Sequence, residues 1–398
     1  MTIRLQVSRR GMLLVLHPVF ALTGAADVIT GPLLPSLARA FHLSDSQSGV
    51  LLFAVFAGMA TGALLCRGNY ARALTLGLLA LALSCIAFPW IPRTFLYPFA
   101  FVFGVSTGLP MTAISLFAGR NYPASRAATL TLLNLTWSLG ALLAPLLAAQ
   151  LLAFASWRAV YLVLAGVAAF GALAVAFTIR DSTETARSTP ETAGLRNLRL
   201  VALFAVFFFL QVGMESMFGA WISTHVLRET STTLTIAAAA TAIYWAGFLA
   251  SRAISPLVLF RMCPSRLLQS SLIAAFCAAT LLIASRSPIL LAASILLLGA
   301  ALAPVFPVAL AAFFDRARHT SDSRFVLALS GFGGSVFPWL AGWVSSHTGS
   351  LRAGLVVGPV TLLAIIALLP LLNVRSQATA GTASPPDGGS NTPEIAPR

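Results

Sequence analysis

The sequence predicts an all-α membrane protein in which twelve transmembrane helices form two pseudo-symmetric six-helix bundles. Of its 398 residues, 58% are hydrophobic and only 9% are charged, which is too few charges to cover a water-facing surface. The hydrophobic residues form blocks of about 18 residues or more, the length that crosses roughly 30 Å of hydrocarbon as a helix. Because lipid offers no hydrogen bonds, backbone groups in such blocks need internal partners, and helices supply them.

Twelve apolar blocks follow one another along the chain. We place the spans at 11–38, 48–66, 72–91, 95–118, 127–153, 157–179, 198–224, 233–258, 266–284, 288–313, 324–345 and 352–373. One long polar segment between the sixth and seventh spans divides them into six plus six. The predicted organisation is an N-terminal segment 1–10, a first bundle 11–179, a linker 180–197, a second bundle 198–373 and a disordered tail 374–398.

The charge of the chain, +14, indicates an orientation in the membrane rather than nucleic-acid binding. All 25 basic residues are Arg, and they are dispersed through the loops instead of clustered on a soluble face. Nineteen fall in segments predicted to share a side with the N-terminus. The other six are Arg39, Arg93, Arg158, Arg228, Arg286 and Arg352. Since basic loops stay in the cytoplasm, we expect a multi-pass protein of the inner (plasma) membrane with both termini, the linker and loop 260–265 cytoplasmic.

The two halves of the chain resemble each other at three places. The matched segments are Asp27–Gly31 with Glu215–Gly219, Phe103–Gly104 with Leu298–Gly299, and Gly140–Pro145 with Gly333–Pro338. Their offsets lie between 188 and 195 residues. Three matches at nearly one offset, each in corresponding spans, predict a duplicated six-helix unit.

Two acidic residues, Asp27 and Glu215, lie inside the predicted spans. Placing a charged carboxylate inside a membrane costs several kcal/mol of free energy, so its presence indicates a functional role. Both residues occupy matching repeat positions, so a pseudo-twofold axis brings them towards one central cavity, where they could couple transport to protons. Glu215 lies nearer the middle of its span and follows Gln211 by one turn, which favours it. The alternative is a structural carboxylate bonded to a neighbouring donor.

Aromatic and amide residues in the same spans are candidates for binding a polar solute, by ring stacking and hydrogen bonding. The candidate substrate-binding residues are Asn134, Trp137, Gln211, Glu215, Trp221, Tyr244, Trp245 and Trp339. Asn134 and Trp137 are three residues apart and therefore share a helix face. The alternative for each aromatic residue is helix packing or an interfacial belt.

Prolines in glycine-containing runs indicate bending helices. Pro110 in the fourth span, and Pro304 and Pro307 in the tenth, each remove an intrahelical hydrogen bond, so these helices can bend during gating. A static kink explains the same residues. We also assign Arg252 to the gate.

The spans and their motifs resemble the major facilitator superfamily over 11–373, and within it the sugar-porter group that contains the L-fucose:proton symporter and sodium-dependent glucose transporter-like proteins. The segments that carry the resemblance are Gly31–Pro35 with Phe41–Ser44, Leu130–Pro145, Gly299–Pro307 and 331–349. The resemblance implies the major facilitator fold, and it implies a gating role for Gly62, Arg67 and Arg72 in the loop after the second span.

Three departures from the family pattern concern its acidic residues. Cys66 stands where that loop usually carries an acid. Asp27 lies about one turn earlier than the acid of the fucose-type pattern. The fourth span has no acid and carries Met111 near the expected position, so Glu215 is the candidate replacement.

We therefore predict a secondary active transporter that moves a small polar organic solute, most readily a sugar, by alternating access and as a monomer in the lipid bilayer. The coupling ion is a proton or, alternatively, sodium. A drug or metabolite exporter of the same superfamily is the second interpretation, and a non-transporting membrane sensor or scaffold is the third. We expect no enzyme activity, cofactor or metal, because the histidines form no spaced pair and the four cysteines form no ligand pattern.

Overall fold

The computed structural model describes residues 9–122, 126–179, 198–316 and 320–372. The predicted linker 180–197, the tail 374–398 and residues 1–8 of the predicted N-terminal segment lie outside these ranges. In the described ranges the structure is helical and contains no strand. The helices are α1 (Arg9–Val28), α2 (Thr30–Phe41), α3 (Asp45–Leu65), α4 (Tyr70–Ala87), α5 (Leu96–Asn121), α6 (Arg126–Phe154), α7 (Trp157–Thr178), α8 (Leu198–Thr230), α9 (Leu234–Leu259), α10 (Pro264–Ala284), α11 (Pro288–Leu302), α12 (Val305–Phe314), α13 (Thr320–Thr348), α14 (Leu351–Leu355) and α15 (Val357–Leu372).

Within the described ranges, twelve spans are long and apolar enough to cross a membrane, which confirms the predicted number. The first, tenth and twelfth spans each contain a break that the predicted bounds do not indicate. The breaks separate α1 from α2, α11 from α12, and α14 from α15. A proline follows each break closely. Pro32 lies four residues after Val28, the last residue of α1, and Pro359 lies four residues after Leu355, the last residue of α14. Pro307 lies four residues after Ala303, the first residue beyond α11. A proline cannot donate to the carbonyl four residues earlier and its ring crowds that carbonyl, so the helix opens there.

Close helix crossings repeat between the two halves. A methyl group at Gly140 of α6 would overlap the carbonyl oxygen of Ala21 on α1, and one at Gly333 of α13 would overlap that of Phe209 on α8. Ala21 and Phe209 are separated by the same number of residues as Asp27 and Glu215. A second pair of contacts repeats in the same way. A methyl group at Gly104 would overlap the carbonyl oxygen of Val55 in the first half, and one at Gly299 would overlap that of Tyr244 in the second half. The duplicated unit predicted from three short matches is therefore present as duplicated backbone contacts.

The two halves meet along a pseudo-twofold axis that runs through the membrane. We call the end of the bundle that carries the start of α1 and loop 66–69 the N side, and the end that carries loops 42–44 and 231–233 the far side. Gly31 on α2 and Gly219 on α8 occupy matching repeat positions and touch each other, since a methyl group at Gly31 would overlap Gly219. Asp27 and Glu215 lie four residues before these glycines, so both carboxyl groups flank the axis.

Candidate functional site

A cavity of about 240 Å³ lies between the two halves, beside this crossing. Six of its described lining residues carry a charged group, an amide or an indole N–H: Asp27, Asn134, Trp137, Glu215, Trp245 and Arg252. Three come from the first half and three from the second. A site shared between two halves changes its shape when the halves move relative to each other, which is the arrangement that alternating access requires.

The two carboxyl groups differ in their surroundings. The side-chain amide of Gln211 donates a hydrogen bond of 2.7 Å to Glu215 Oε2, one turn away on α8. Asp27 forms no hydrogen bond or ion pair with any residue whose side chain is described. Both carboxyl groups face the cavity and lie within electrostatic range of each other. Glu215 is therefore held by its own helix, whereas Asp27 is free to interact with whatever enters.

Arg252 lies in the cavity wall and not in a loop, so the expectation that the arginines occupy the loops is wrong for this residue. It belongs to α9, its Nη1 donates 3.1 Å to Ser138 Oγ on α6, and its guanidinium group lies 4.4 Å from the ring centroid of Phe248 and 5.8 Å from that of Trp137. Aromatic faces stabilise a cation that has lost its water. Position 252 falls inside the predicted span 233–258, and this signal could have placed it in the membrane.

Trp137 on α6 and Trp245 on α9 form an edge-to-face pair across the two halves, with ring centroids 5.7 Å apart. Both indole Nε1 groups are buried and donate to no acceptor in the described structure. A buried donor without a partner costs free energy. A hydrogen bond from either indole to a ligand oxygen would remove that cost when the site rearranges. The aromatic pair thus combines an apolar surface with unused donors.

The cavity continues into a wide vestibule of about 940 Å³. Asn134, Arg252 and Phe306 line both spaces, and the vestibule extends between α6, α9 and α12 to the loop at Arg261–Pro264 on the N side. Asn134 is exposed there, and its amide donates 2.9 Å to the carbonyl of Leu130 on its own helix. The central site is therefore accessible from the N side.

The far side is closed by contacts between the halves. Arg228 on α8 forms a bidentate ion pair with Asp45 on α3, with N–O distances of 2.5 and 2.7 Å. The hydroxyl group of Ser345 on α13 donates a hydrogen bond of 2.5 Å to the same carboxylate. The amide of Ser46 also donates 2.7 Å to Ser346 Oγ. Sequence reasoning placed Asp45 and Arg228 in separate outer loops and missed this pairing, because nothing local relates two residues 183 positions apart.

Four predicted binding residues do not line the cavity. Gln211 is fully buried and reaches the site through Glu215. Tyr244 is fully buried and packs against Trp245, with ring centroids 5.0 Å apart. Trp221 donates 2.9 Å from its indole to the carbonyl of Pro338 between α8 and α13, and the backbone of Trp339 packs against Gly49 of α3. The position of Trp221 fits the alternative of helix packing, and a binding role for these four stays a prediction.

The predicted gating residues occupy three kinds of position. Gly62 packs against the backbone of α5, and Arg67 and Arg72 are exposed on the N side. Pro110 lies within an unbroken α5, whereas Pro304 and Pro307 lie at the break of the tenth span. Their motion during gating stays a prediction.

Known proteins resemble the chain over most of its length. It is 24% identical to the glucose/mannose transporter GlcP of Bacillus subtilis (strain 168), over 93% of this chain and 96% of that protein. It is 26% identical to a glucose/galactose transporter of Brucella abortus (strain 2308), over 90% of this chain and 93% of that protein. Residues 16–321 match the family model of the Major Facilitator Superfamily.

Solved structures share the fold. The D-xylose-proton symporter superposes with a TM-score of 0.72 at 14% identity, covering 92% of this chain and 99% of that one. A bacterial homolog of the human lysosomal transporter Spinster, in an inward-facing and occupied conformation, superposes with a TM-score of 0.71 at 16% identity, covering 92% of this chain and 96% of that one. From the profile match over most of its length and the twelve-span architecture, the chain belongs to the Major Facilitator Superfamily.

Proposed function

We propose that this protein is a secondary active transporter that carries a monosaccharide across the membrane together with a proton. The observation that carries the proposal is the central cavity, in which both halves contribute polar, charged and aromatic side chains around one ligand-sized space. Its relatives in Bacillus subtilis and Brucella abortus are transporters of glucose with mannose or galactose, which favours a hexose.

The chemistry of the cavity suits a neutral sugar. An indole ring can cover the apolar face of a pyranose, while Asn134, Glu215 and Asp27 offer hydrogen-bonding groups to its hydroxyls. The unused indole donors of Trp137 and Trp245 add two further groups that could bind hydroxyl oxygens.

Alternating access is supported by the different state of the two sides. The site is open to the vestibule on the N side and shut on the far side by the Asp45–Arg228 pair. With the orientation predicted from the arginine distribution, the N side is the cytoplasm, and the structure then corresponds to the inward-facing state of a plasma-membrane protein.

Asp27 is our candidate for the proton-binding residue. Sequence reasoning slightly favoured Glu215, but Glu215 accepts a hydrogen bond from Gln211 and shares its half of the protein with Arg252. Asp27 is partly buried and has no protein partner among the described side chains, so binding a proton or a sugar hydroxyl is the available way to offset the cost of removing it from water.

Uptake into proteoliposomes tests the proposal. Labelled glucose, mannose and galactose should accumulate when the lumen is made alkaline, and an imposed sodium gradient should not replace the proton gradient. Asp27→Asn should abolish accumulation but allow exchange of sugar between equal pools, since exchange moves no net proton. Asp315→Asn, a matched change at the exposed N-side rim of the vestibule, should behave like wild type.

Two results would contradict the proposal. Sodium-driven uptake that persists at equal pH would replace the proton as coupling ion. Failure of every sugar, together with transport of an amphipathic drug through the apolar vestibule, would favour an exporter.

A further inference from the structure

The central cavity contains an unequal set of charges. Among the described residues that line it, three are ionisable: Asp27 on α1 of the first half, and Glu215 on α8 and Arg252 on α9 of the second half. With all three ionised, the site carries one net negative charge. A single proton therefore makes the site neutral.

We propose that Arg252 is the counter-ion of Glu215, and that this pairing restricts proton exchange to Asp27, so that one proton accompanies each substrate. The inference rests on the proposed function, because it concerns how the same site couples sugar to protons. It assigns to Arg252 a positioning role, since it acts through the charge state of two other side chains.

Position within the fold supports the pairing. Glu215 and Arg252 belong to helices of the same half, so they stay together when the halves move, whereas Asp27 approaches and leaves them with the other half. Among residues with described side chains, the groups within electrostatic range of Glu215 are Asp27 on α1 and Arg252 and Tyr244 on α9. The described side chains of α12, α13 and α15 add no charge to the cavity wall.

Arg252 and Glu215 are not in direct contact in this state, because Arg252 donates to Ser138 of the first half instead. Both face the cavity, and opposite charges attract over such a gap when little water screens them. The Ser138 contact holds the guanidinium group at the boundary between the halves. From there it can neutralise Glu215 while leaving Asp27 open to the substrate.

Replacing Glu215 or Arg252 singly by a neutral residue affects proton binding in the cavity differently from replacing both. In Glu215→Gln, Arg252 has only Asp27 as its counter-ion, which keeps Asp27 ionised. In Arg252→Gln, two carboxylates share the cavity without a cation, and like charges resist being ionised together, so one proton remains bound throughout. In the double variant Asp27 again stands alone and can exchange its proton.

The experiment compares wild type, both single variants and the double variant Glu215→Gln/Arg252→Gln in proteoliposomes held at zero membrane potential. For one proton per sugar, accumulation in wild type should rise about tenfold for each unit of the pH gradient. Glu215→Gln should lose accumulation while retaining equal-pool exchange, and the double variant should regain it. The pH profile of exchange should shift in both single variants and return towards that of wild type in the double variant.

The outcomes separate a failure of this inference from a failure of the proposed function. A double variant that exchanges sugar but does not accumulate it overturns the inference, and it assigns the proton to Glu215 or substrate binding to Arg252. Accumulation by wild type of about a hundredfold per pH unit, the value for two protons, also overturns it. If wild type itself shows no proton-driven uptake, the proposed function fails.

Two further variants control for folding and for the loss of an arginine. Arg252→Lys keeps the positive charge but removes the planar group that lies over Phe248, so its pH profile of exchange should lie closer to that of wild type than the profile of Arg252→Gln does. Arg261→Gln, at the rim of the vestibule, should match wild type. If a single variant does not fold, recovery in the double variant alone still supports the pairing, and its absence in a folded double variant refutes it.

Discussion

The Asp45–Arg228 ion pair is expected to hold the far side shut, and Asp45→Asn should open it. The pair joins α3 of the first half to α8 of the second, and Ser345 on α13 donates to the same carboxylate. A state open on the far side must separate these helices, so every contact here stabilises the N-side-open state alone. Asparagine keeps the size of aspartate but loses its charge and its capacity to accept two guanidinium bonds.

The size of the effect follows from exposure. Side-chain exposure is 15% for Asp45 and 46% for Arg228, so solvent screens one partner well and the other poorly. A fully exposed pair is worth about 0.2–1 kcal/mol, and charge-assisted hydrogen bonds to a sheltered group about 1.5–3 kcal/mol. We therefore expect about 1–2 kcal/mol, which shifts the balance between the two states about 5- to 30-fold.

A buried serine on the boundary reports the opening. Ser223 on α8 is fully buried and donates 3.2 Å to the carbonyl of Pro32 on α2, so a cysteine placed there is shielded while the far side is closed. In a background without the four native cysteines, Ser223→Cys should react with an impermeant thiol reagent about 5- to 30-fold faster when Asp45→Asn is also present.

A neighbouring ion pair provides the matched control. Arg352 binds Glu229 with distances of 2.5 and 2.7 Å, also on the far side but within the second half. Glu229→Gln should leave the labelling rate unchanged, because both conformations preserve that pair. Equal acceleration by Glu229→Gln would show that any loss of far-side charge loosens the bundle, and no acceleration by Asp45→Asn would show that the pair does not lock the closure.

Three further predictions concern the site, the packing and the orientation. Trp137→Leu should weaken sugar binding measured by calorimetry about tenfold, the loss of one aromatic contact, while Trp90→Leu on the exposed periphery should not. Gly140→Ala should lower thermal stability in detergent by about 1–3 kcal/mol through overlap with α1, whereas Gly166→Ala, with open space around it, should be neutral or stabilising, and equal stability of the two would refute the crossing. Arg93→Cys should be labelled from outside intact cells, and labelling only after permeabilisation would invert the orientation.

The overall fold was predictable because it depends on properties that the chain repeats many times. Each of twelve spans carries its own length and hydrophobicity, and an error in one boundary leaves the others unchanged. The breaks in the helices were harder to predict from the sequence, although Pro32 and Pro307 are visible in it. A proline can sit inside a helix, as Pro110 does, and the neighbouring helices decide whether the backbone opens.

The site was predictable only in part, because the face that a residue presents depends on its neighbours. Asp27 and Glu215 are conspicuous because carboxylates are rare in the membrane, and the duplicated sequence placed them on a common axis. Trp221 and Trp137 are the same kind of residue in the same kind of helix, yet the first packs on α13 and the second lines the cavity. Arg252 was counted with the basic residues of the N side, and only the packing of α9 on α6 shows that it faces inwards.

The tryptophan pair at the boundary also gives the protein a natural optical signal for its own motion. Trp137 and Trp245 are carried by different halves, and their rings lie 5.7 Å apart at an interplanar angle of 80°. Two indoles this close share their excited states, so the near-ultraviolet circular dichroism of the pair depends on their mutual angle. As the halves rotate, that spectrum changes without any attached label, and subtracting the spectrum of a Trp137→Phe variant isolates it from the other tryptophans. Stopped-flow dichroism on the unmodified chain could therefore time each conformational step of the cycle directly.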